Sequence, residues 1–441
     1  MAKDSRISAA LAAATCGLLG TAAPSESGAA EPQARWDIDS AALYYGEGDG
    51  RVKDASLAID ARRDFADERT LGLGLHLDTL TGASPSGAIA QPGVQTFTSP
   101  SGRDTYSTPG GDIPLDETFH DTRFAIDASW SQPLARLYKL SSGVSFSSEF
   151  DYQHIGANLG IARDFDRRNT TVSAAIAYGQ DTIKPVGGIP IALAAMTDAV
   201  DEDQQPDNRA DGSDSKTLFD VLLGVTQVLG RHTLLRVNLS YSDSSGYLTD
   251  PYKILSVVDP LTGMLVPRTA APGGTGPAGV YRFESRPDSR RKQGLYAELR
   301  HDFSGRVLNV GYRYSTDDWE IDSHTLEARM RFPIGESSYL EPHLRYYRQT
   351  VASFYRYSLP DGGTLPQFAS ADARLGDLDA QTIGLKFGHR RANGNEWSAR
   401  LELYQQTGHL ERGQLIGAQP TNAALPDFDA IILQFGYRFR L

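Results

Sequence analysis

In the stretch "TLGLGLHLDTL", Leu71, Leu73, Leu75 and Leu77 take every second position, and Gly72, Gly74, His76 and Asp78 take the positions between. A period of two puts the leucines on one face of an extended chain and the small or polar residues on the other. The register recurs at Phe124, Ile126, Ala128 and Trp130, at Ile155, Ala157, Leu159 and Ile161, and at Val172, Ala174, Ile176 and Tyr178. It continues at Leu235, Val237, Leu239 and Tyr241, at Leu308, Val310, Tyr312 and Tyr314, at His324, Leu326, Ala328, Met330 and Phe332, and at Trp397, Ala399, Leu401 and Leu403. Each run predicts a strand with one apolar face, interrupted among these runs only by His324.

The strands of a soluble sandwich average about 5–6 residues. These runs reach about ten or more, the length that crosses a bilayer at a tilt of roughly 45°. Their polar faces carry Glu298 with Arg300, Glu327 with Arg329, Glu341 with His343 and Arg345, and Arg400 with Glu402. Opposed charges of this kind suit a wet lumen. Short connections ("DFADER", "SQPLAR", "DFDRRN", "LGRHT", "FSGR", "PIGESS", "RRANGN") alternate with long ones, such as 81–119, 181–215, 243–288, 350–376 and 409–427. Short turns on one side and long loops on the other predict a single closed antiparallel transmembrane β-barrel of about 16 strands, with short periplasmic turns and long extracellular loops. Three short turns share an Asp-Phe pair beside basic residues, within 62–70, 162–170 and 300–308. There Phe65, Phe165 and Phe303 are placed to join an interfacial aromatic girdle.

The final run, "FDAIILQFGYRFRL", alternates Ile431, Leu433, Phe435, Tyr437, Phe439 and Leu441 with Ile432, Gln434, Gly436, Arg438 and Arg440. An amphipathic terminal strand of this form is one that barrel-assembly machinery can pair with by strand addition.

The other end sets the compartment. Lys3 and Arg6 precede the apolar, small-residue run "ISAALAAATCGLLGTAA" and the polar "PSESGAA", the layout of a secretory signal peptide. Residues 1–30 read as a cleaved signal, with alternative cuts after Ala22 or Ala23, and residues 31–441 read as the barrel. The chain's single cysteine, Cys16, then leaves with the signal, so neither disulfides nor thiolate metal sites are expected. The formal charge of −12 argues against nucleic acid as a partner. No later stretch has the roughly 18 apolar residues of a membrane helix. The expected location is the cell outer membrane, with its lipid and the assembly machinery as partners.

The stretches "HLDTLTGASPSGA", "HDTRFAIDASW", "SFSSEFDYQHIGANL", "SGYLTDPYK", "ESRPDSRR" and, from "DDWEIDSHTLE" to "LRYYRQTVASFY", residues 317–355 run in order through nearly all of the mature chain. They resemble the Gram-negative outer-membrane family catalogued as domain of unknown function 3570. The resemblance implies an outer-membrane barrel and supplies no substrate.

Candidate chemistry lies in the polar side chains. His76 and Asp78 share a strand face, and Glu149, Asp151 and His154 surround a short outward turn, which places them as ligand or cation contacts near the extracellular mouth or as ordinary lumen polar groups. Asp250 and Lys253, beside Tyr247 and Tyr252, leave a strand into a long loop, either to contact a ligand or to order that loop in the mouth. Glu298, Arg300, Glu327, Arg329, Glu341 and Arg345 are expected to form a cross-strand charge network that narrows the lumen. The acidic "DNRADG" approaches a calcium loop, but Arg209 takes a ligand position and no closing Glu follows, so a solvated surface loop is expected and no metal is assigned. No zincin, phosphate-cradling or nucleophile-elbow motif is present, so no enzyme activity and no cofactor are expected, with a lipid-acting hydrolase the minor alternative. Two functions remain open: a gated or specialised transport or export barrel, and a non-conducting envelope binding or assembly scaffold acting through its outer loops.

Overall fold

A computed structural model describes residues 35–48, 51–82, 85–100, 102–115, 120–201, 206–269, 276–419 and 427–441. The signal-peptide reading of residues 1–30 lies outside them. Sixteen long strands form one sheet: β1 (Trp36–Glu47), β2 (Lys53–Asp64), β3 (Thr70–Thr81), β4 (His120–Ala135), β5 (Tyr138–Ser148), β6 (Tyr152–Phe165), β7 (Thr170–Ile183) and β8 (Asp214–Gly230) make the first half. The second half is β9 (Thr233–Gly246), β10 (Ser289–Asp302), β11 (Val307–Asp317), β12 (Asp322–Ile334), β13 (Ser338–Gln349), β14 (Asp377–Arg390), β15 (Glu396–His409) and β16 (Phe428–Arg440). Each strand pairs antiparallel with its chain neighbour, and β16 returns to β1 to close a barrel. Closure removes the open edges that a bilayer forbids.

The apolar rows fall on the outside. Leu75 faces Ile59 on one side and Ile126 on the other, and Leu401 faces Leu385 and Leu433. Leu75, Ile126, Leu401 and Leu433 are each more than 40% exposed, although they sit mid-strand, as expected when the surrounding medium is lipid. At the closing seam, the same alternation turns Arg438 toward Asp39 and Arg440 toward Asp37, each pair at 2.6 Å.

At the short-turn end the Asp-Phe motif acquires a physical role. The Phe65 ring packs 5.7 Å from Trp130, with the Arg63 and Arg69 guanidinium groups over it, and Arg163 stacks 4.5 Å above Phe165. The preceding aspartates tie the turns from the other face: Asp64 accepts from Thr70, Asp164 from Thr171 and Asp302 from the Gly305 amide. One turn is shorter than its sequence suggests. Most of "SQPLAR" belongs to β4, whose pairing with β5 persists to Ala135 through a register shift after Pro133.

The long loops fold together. Ile254–Val258 pairs antiparallel with Tyr281–Phe283 and parallel with Leu359–Pro360, which joins the 247–288 and 350–376 loops in a small sheet. Apolar side chains from different loops bury one another: Ala88, Phe97, Met196, Ile254, Tyr281 and Phe283 form one cluster, and Leu193, Leu255, Val257, Leu359, Ala369 and Ala371 another. A third joins Trp319 and Ile321 to Ala352, Phe354, Tyr355 and Leu375. The loops thus have their own hydrophobic core, separate from the lipid-facing belt.

Candidate functional site

Among the described residues, the loop assembly covers inner-wall side chains at the long-loop end. Lumen-facing residues near that end are buried, including Asp181, Leu218, Gln349, Leu378, Ala380 and Tyr404. Gln349, on the inner face of β13, donates to the Arg374 and Gly376 carbonyls of the 350–376 loop at 2.9 and 2.8 Å. Tyr252, from the 247–288 loop, donates to Asp151 between β5 and β6. Toward the short-turn end the inner face opens to solvent, with the side chains of Asp39, Asp60 and Asp64 about half exposed.

A buried ion knot fastens this cap. Arg286 bridges Glu284, at 2.6 Å, and Asp372, at 2.7 Å. Arg374 grips Asp372 and reaches Asp250 at 2.6 Å. The Asp250 amide donates to Glu284 at 2.6 Å, Ser370 donates to the same carboxylate, and Lys253 donates to the Pro85 carbonyl at 2.6 Å. Three long loops, containing Pro85, Asp250 to Arg286, and Asp372 to Arg374, are therefore bound into one unit. Burial pushes the Glu284 carboxyl up and the Lys253 ammonium down. Burial would also raise Asp372, but Arg374, Arg286 and Lys253 outweigh it and hold that carboxyl well below its usual range. Of the loop candidates, Asp250 and Lys253 are thus fastenings of the cap. Glu284 and Arg286 lie in "ESRPDSRR", a stretch that carries only the family resemblance in the sequence, and no sequence signal ties them to Asp372 or Arg374.

The candidates near the mouth do not form one site. His76 lies mid-strand, 3.3 Å from Asp127 and 3.9 Å from Asp60, and Asp78 pairs with Arg123. His154 meets Asp181 at 2.6 Å, where Lys216 and Tyr152 also converge. Glu149 and Asp151 instead approach Asp121, and one oxygen of each lies within 4.8 Å of the others, a spacing that could hold a hard cation. The "DNRADG" segment is more ordered than a solvated loop: Arg209 is buried, stacks 4.8 Å from Phe283 and donates to the Val186 carbonyl.

The lumen charges do pair, with different partners from those expected. Glu298 pairs with Arg236 at 3.6 Å, Glu327 with Arg329 at 2.5 Å and His343 at 3.4 Å, and Glu341 with Arg331 at 3.0 Å and Arg400 at 3.7 Å. His343 also meets Glu402 at 2.8 Å. Arg345 lies over the Tyr347 ring, and Arg300 makes no ion pair among the described residues. The expected network of six therefore loses Arg300 and Arg345 as ion-pair members and gains Arg236, Arg331, His343, Arg400 and Glu402. For Arg300 the reason is register: it sits directly opposite Leu234 and Asn309, so neither flanking strand offers it a carboxylate. Arg345 does fall opposite Glu327, but its guanidinium lies over Tyr347 instead.

No curated protein matches the sequence significantly. Among solved structures, a mutant of the ferric enterobactin receptor of Pseudomonas aeruginosa is similar over 85% of this chain, with 11% identity and a TM-score of 0.42. This chain spans 54% of that receptor's length. The CymD monoaromatic hydrocarbon channel is similar over 92% of this chain and 88% of its own, with 8% identity and a TM-score of 0.39. The outer-membrane protein OpdK of Pseudomonas aeruginosa is similar over 93% of this chain and 99% of its own, with 10% identity and a TM-score of 0.37. A family model described as a protein of unknown function covers residues 8–439, so barrel and cap together belong to the DUF3570 family.

Proposed function

We propose that this chain is an outer-membrane barrel that works as a gated, specialised transport or export barrel. The observation that carries the reading is the cap: long loops with their own apolar core and ion knot bury the inner wall at the extracellular end. A general porin needs an unobstructed polar path, whereas here the described loops cover inner-wall residues at the long-loop end and the inner face is exposed toward the short turns, which supports the gated reading. The polar, mixed-charge wall below the cap favours transport over a purely structural role, because a scaffold has no need of a solvent-lined chamber. Lipid holds the outer belt, and the C-terminal strand is the element presented to the assembly machinery. No reaction is assigned to the barrel.

Planar-bilayer recording of the refolded protein tests this reading. The capped barrel should show no steady porin-like current, and removal of the 247–288 loop should produce one, with retention of the heat-modifiable folded band proving that the barrel survives. Large, steady currents from the intact protein would overturn the gated reading. A barrel that stays non-conducting after loop removal would favour the scaffold.

A further inference from the structure

Beneath the cap, a cavity of ≈ 330 Å³ opens from the inner wall of β10 to β13, with Tyr296, Glu298, Arg300, Asn309, Glu327 and Arg329 among its lining residues. Two rows of side chains cross it. In the row nearer the short-turn end, Arg300, Asn309 and Arg329 are direct cross-strand neighbours. In the next row, Glu298, Gly311 and Glu327 are neighbours. Glycine at 311 keeps the floor between the two glutamates low, because a Cβ there would come within 3.2 Å of the Tyr296 hydroxyl.

The charges of this wall are unevenly satisfied. Each glutamate already has cationic partners: Glu298 has Arg236, Glu327 has Arg329 and His343, and Glu341 has Arg331 and Arg400. Arg300 is exposed to the cavity, and neither it nor Asn309 has a side-chain hydrogen bond or ion pair among the described residues. Arg329 gives Glu327 one end of its guanidinium and leaves its buried Nε without an acceptor. The uncommitted groups are therefore donors on one row, and they face a cavity of metabolite size.

We propose that Arg300, Asn309 and Arg329 bind the carboxylate of a small hydroxy or amino acid. Strands in a sheet lie about 4.8 Å apart, so the backbones of Arg300 and Arg329 stand roughly 10 Å apart with Asn309 between them. Two long guanidinium side chains reach inward across that span and meet a single planar carboxylate, the acceptor their fork geometry suits. Glu298 and Glu327, one row deeper, disfavour a second carboxylate and accept hydrogen bonds from a hydroxyl or ammonium group on the same ligand. The site names a substrate class for the transport reading and rests on it only for its biological use.

Isothermal titration of the folded, detergent-solubilised protein with lactate, and with uncharged lactamide as its counterpart, is the test. Lactate should bind and lactamide should not. Arg300→Gln, a change at an exposed and unpaired side chain, should weaken lactate binding by at least about tenfold, the effect of losing a hydrogen bond to a charged group. Arg329→Gln should do the same, with the heat-modifiable band confirming that both variants are folded. Absence of lactate binding, parental affinity in Arg300→Gln, or sulfate binding as tight as that of lactate would each overturn the proposal. Since no current is measured, failure here leaves the gated reading standing, and an open barrel in the bilayer leaves the site standing.

Discussion

Replacing Arg286 with Ala removes one of the residues that join two cap loops. The side chain is about 10% exposed, and its loss strands Glu284, whose side chain has no exposure at all, while Asp372 keeps Arg374. Breaking one partner out of a buried ion pair costs about 3–5 kcal/mol. The lower figure applies here, since Glu284 retains bonds from the Asp250 amide and Ser370. At 1.4 kcal/mol per tenfold, a loss of about 3 kcal/mol shifts the balance between closed and open cap by roughly a hundredfold. The barrel ladder does not pass through Arg286, so the cost should fall on the cap. In planar bilayers, Arg286→Ala should convert a silent protein into one with frequent, long openings, at unchanged heat modifiability. Arg286→Met combined with Glu284→Gln should return most of the closure, because the stranded charge is gone and the Asp250 amide keeps its acceptor. Currents from Arg286→Ala that match the parent, or a double variant more open than the single one, would refute the reasoning.

Deletion of residues 428–441 should abolish membrane assembly, measured as loss of the heat-modifiable form, because β1 and β15 would be left with open edges in lipid. At the closing seam, Arg438→Asp should lower resistance to denaturant, and adding Asp39→Arg should recover part of it, since the two charges would face each other again at the same register. Acidification should open the cap below about pH 4. Asp372 is depressed, so its stabilisation is complete above its unfolded value of about 3.9 and is lost as pH falls toward the folded value. Burial moves Glu284 the other way, upward, so the loss of stability at falling pH is assigned to Asp372 and should be missing from the openings of Asp372→Asn.

The barrel is legible in the sequence because its physics is local. Period-two alternation in a run such as 71–77 states which face meets lipid, and the alternation of short and long connections fixes the direction of each strand. The terminal strand can be read to single residues, and its outward Leu433 and Phe435 follow from the same rule. The cap is not legible for the opposite reason. Phe97, Met196, Tyr281 and Phe283 are scattered through three loops with no period to connect them, and only tertiary contact makes them a core. The lumen network is partly legible. Alternation identifies Glu298, Glu327 and Glu341 as inward, but pairing depends on cross-strand register, and a sequence does not state that Arg300 falls opposite Asn309. His76 and Glu149 both read from the sequence as residues near the mouth, but His76 lies mid-strand and Glu149 lies in the turn after β5, a difference in height that residue type does not state.

Cysteine labelling reads directly whether the inner chamber is closed to the outside and open to the periplasm. Cys16 is the chain's single cysteine and lies within the signal-peptide reading, so the thiol of an Asn309→Cys variant would report alone. The reagent is a maleimide carrying a polymer too bulky for general porins, applied to intact cells and to cells with a permeabilised outer membrane. The introduced thiol should stay unlabelled in intact cells and react once the periplasm is exposed. Equal labelling in both would mean that the long loops do not close the barrel.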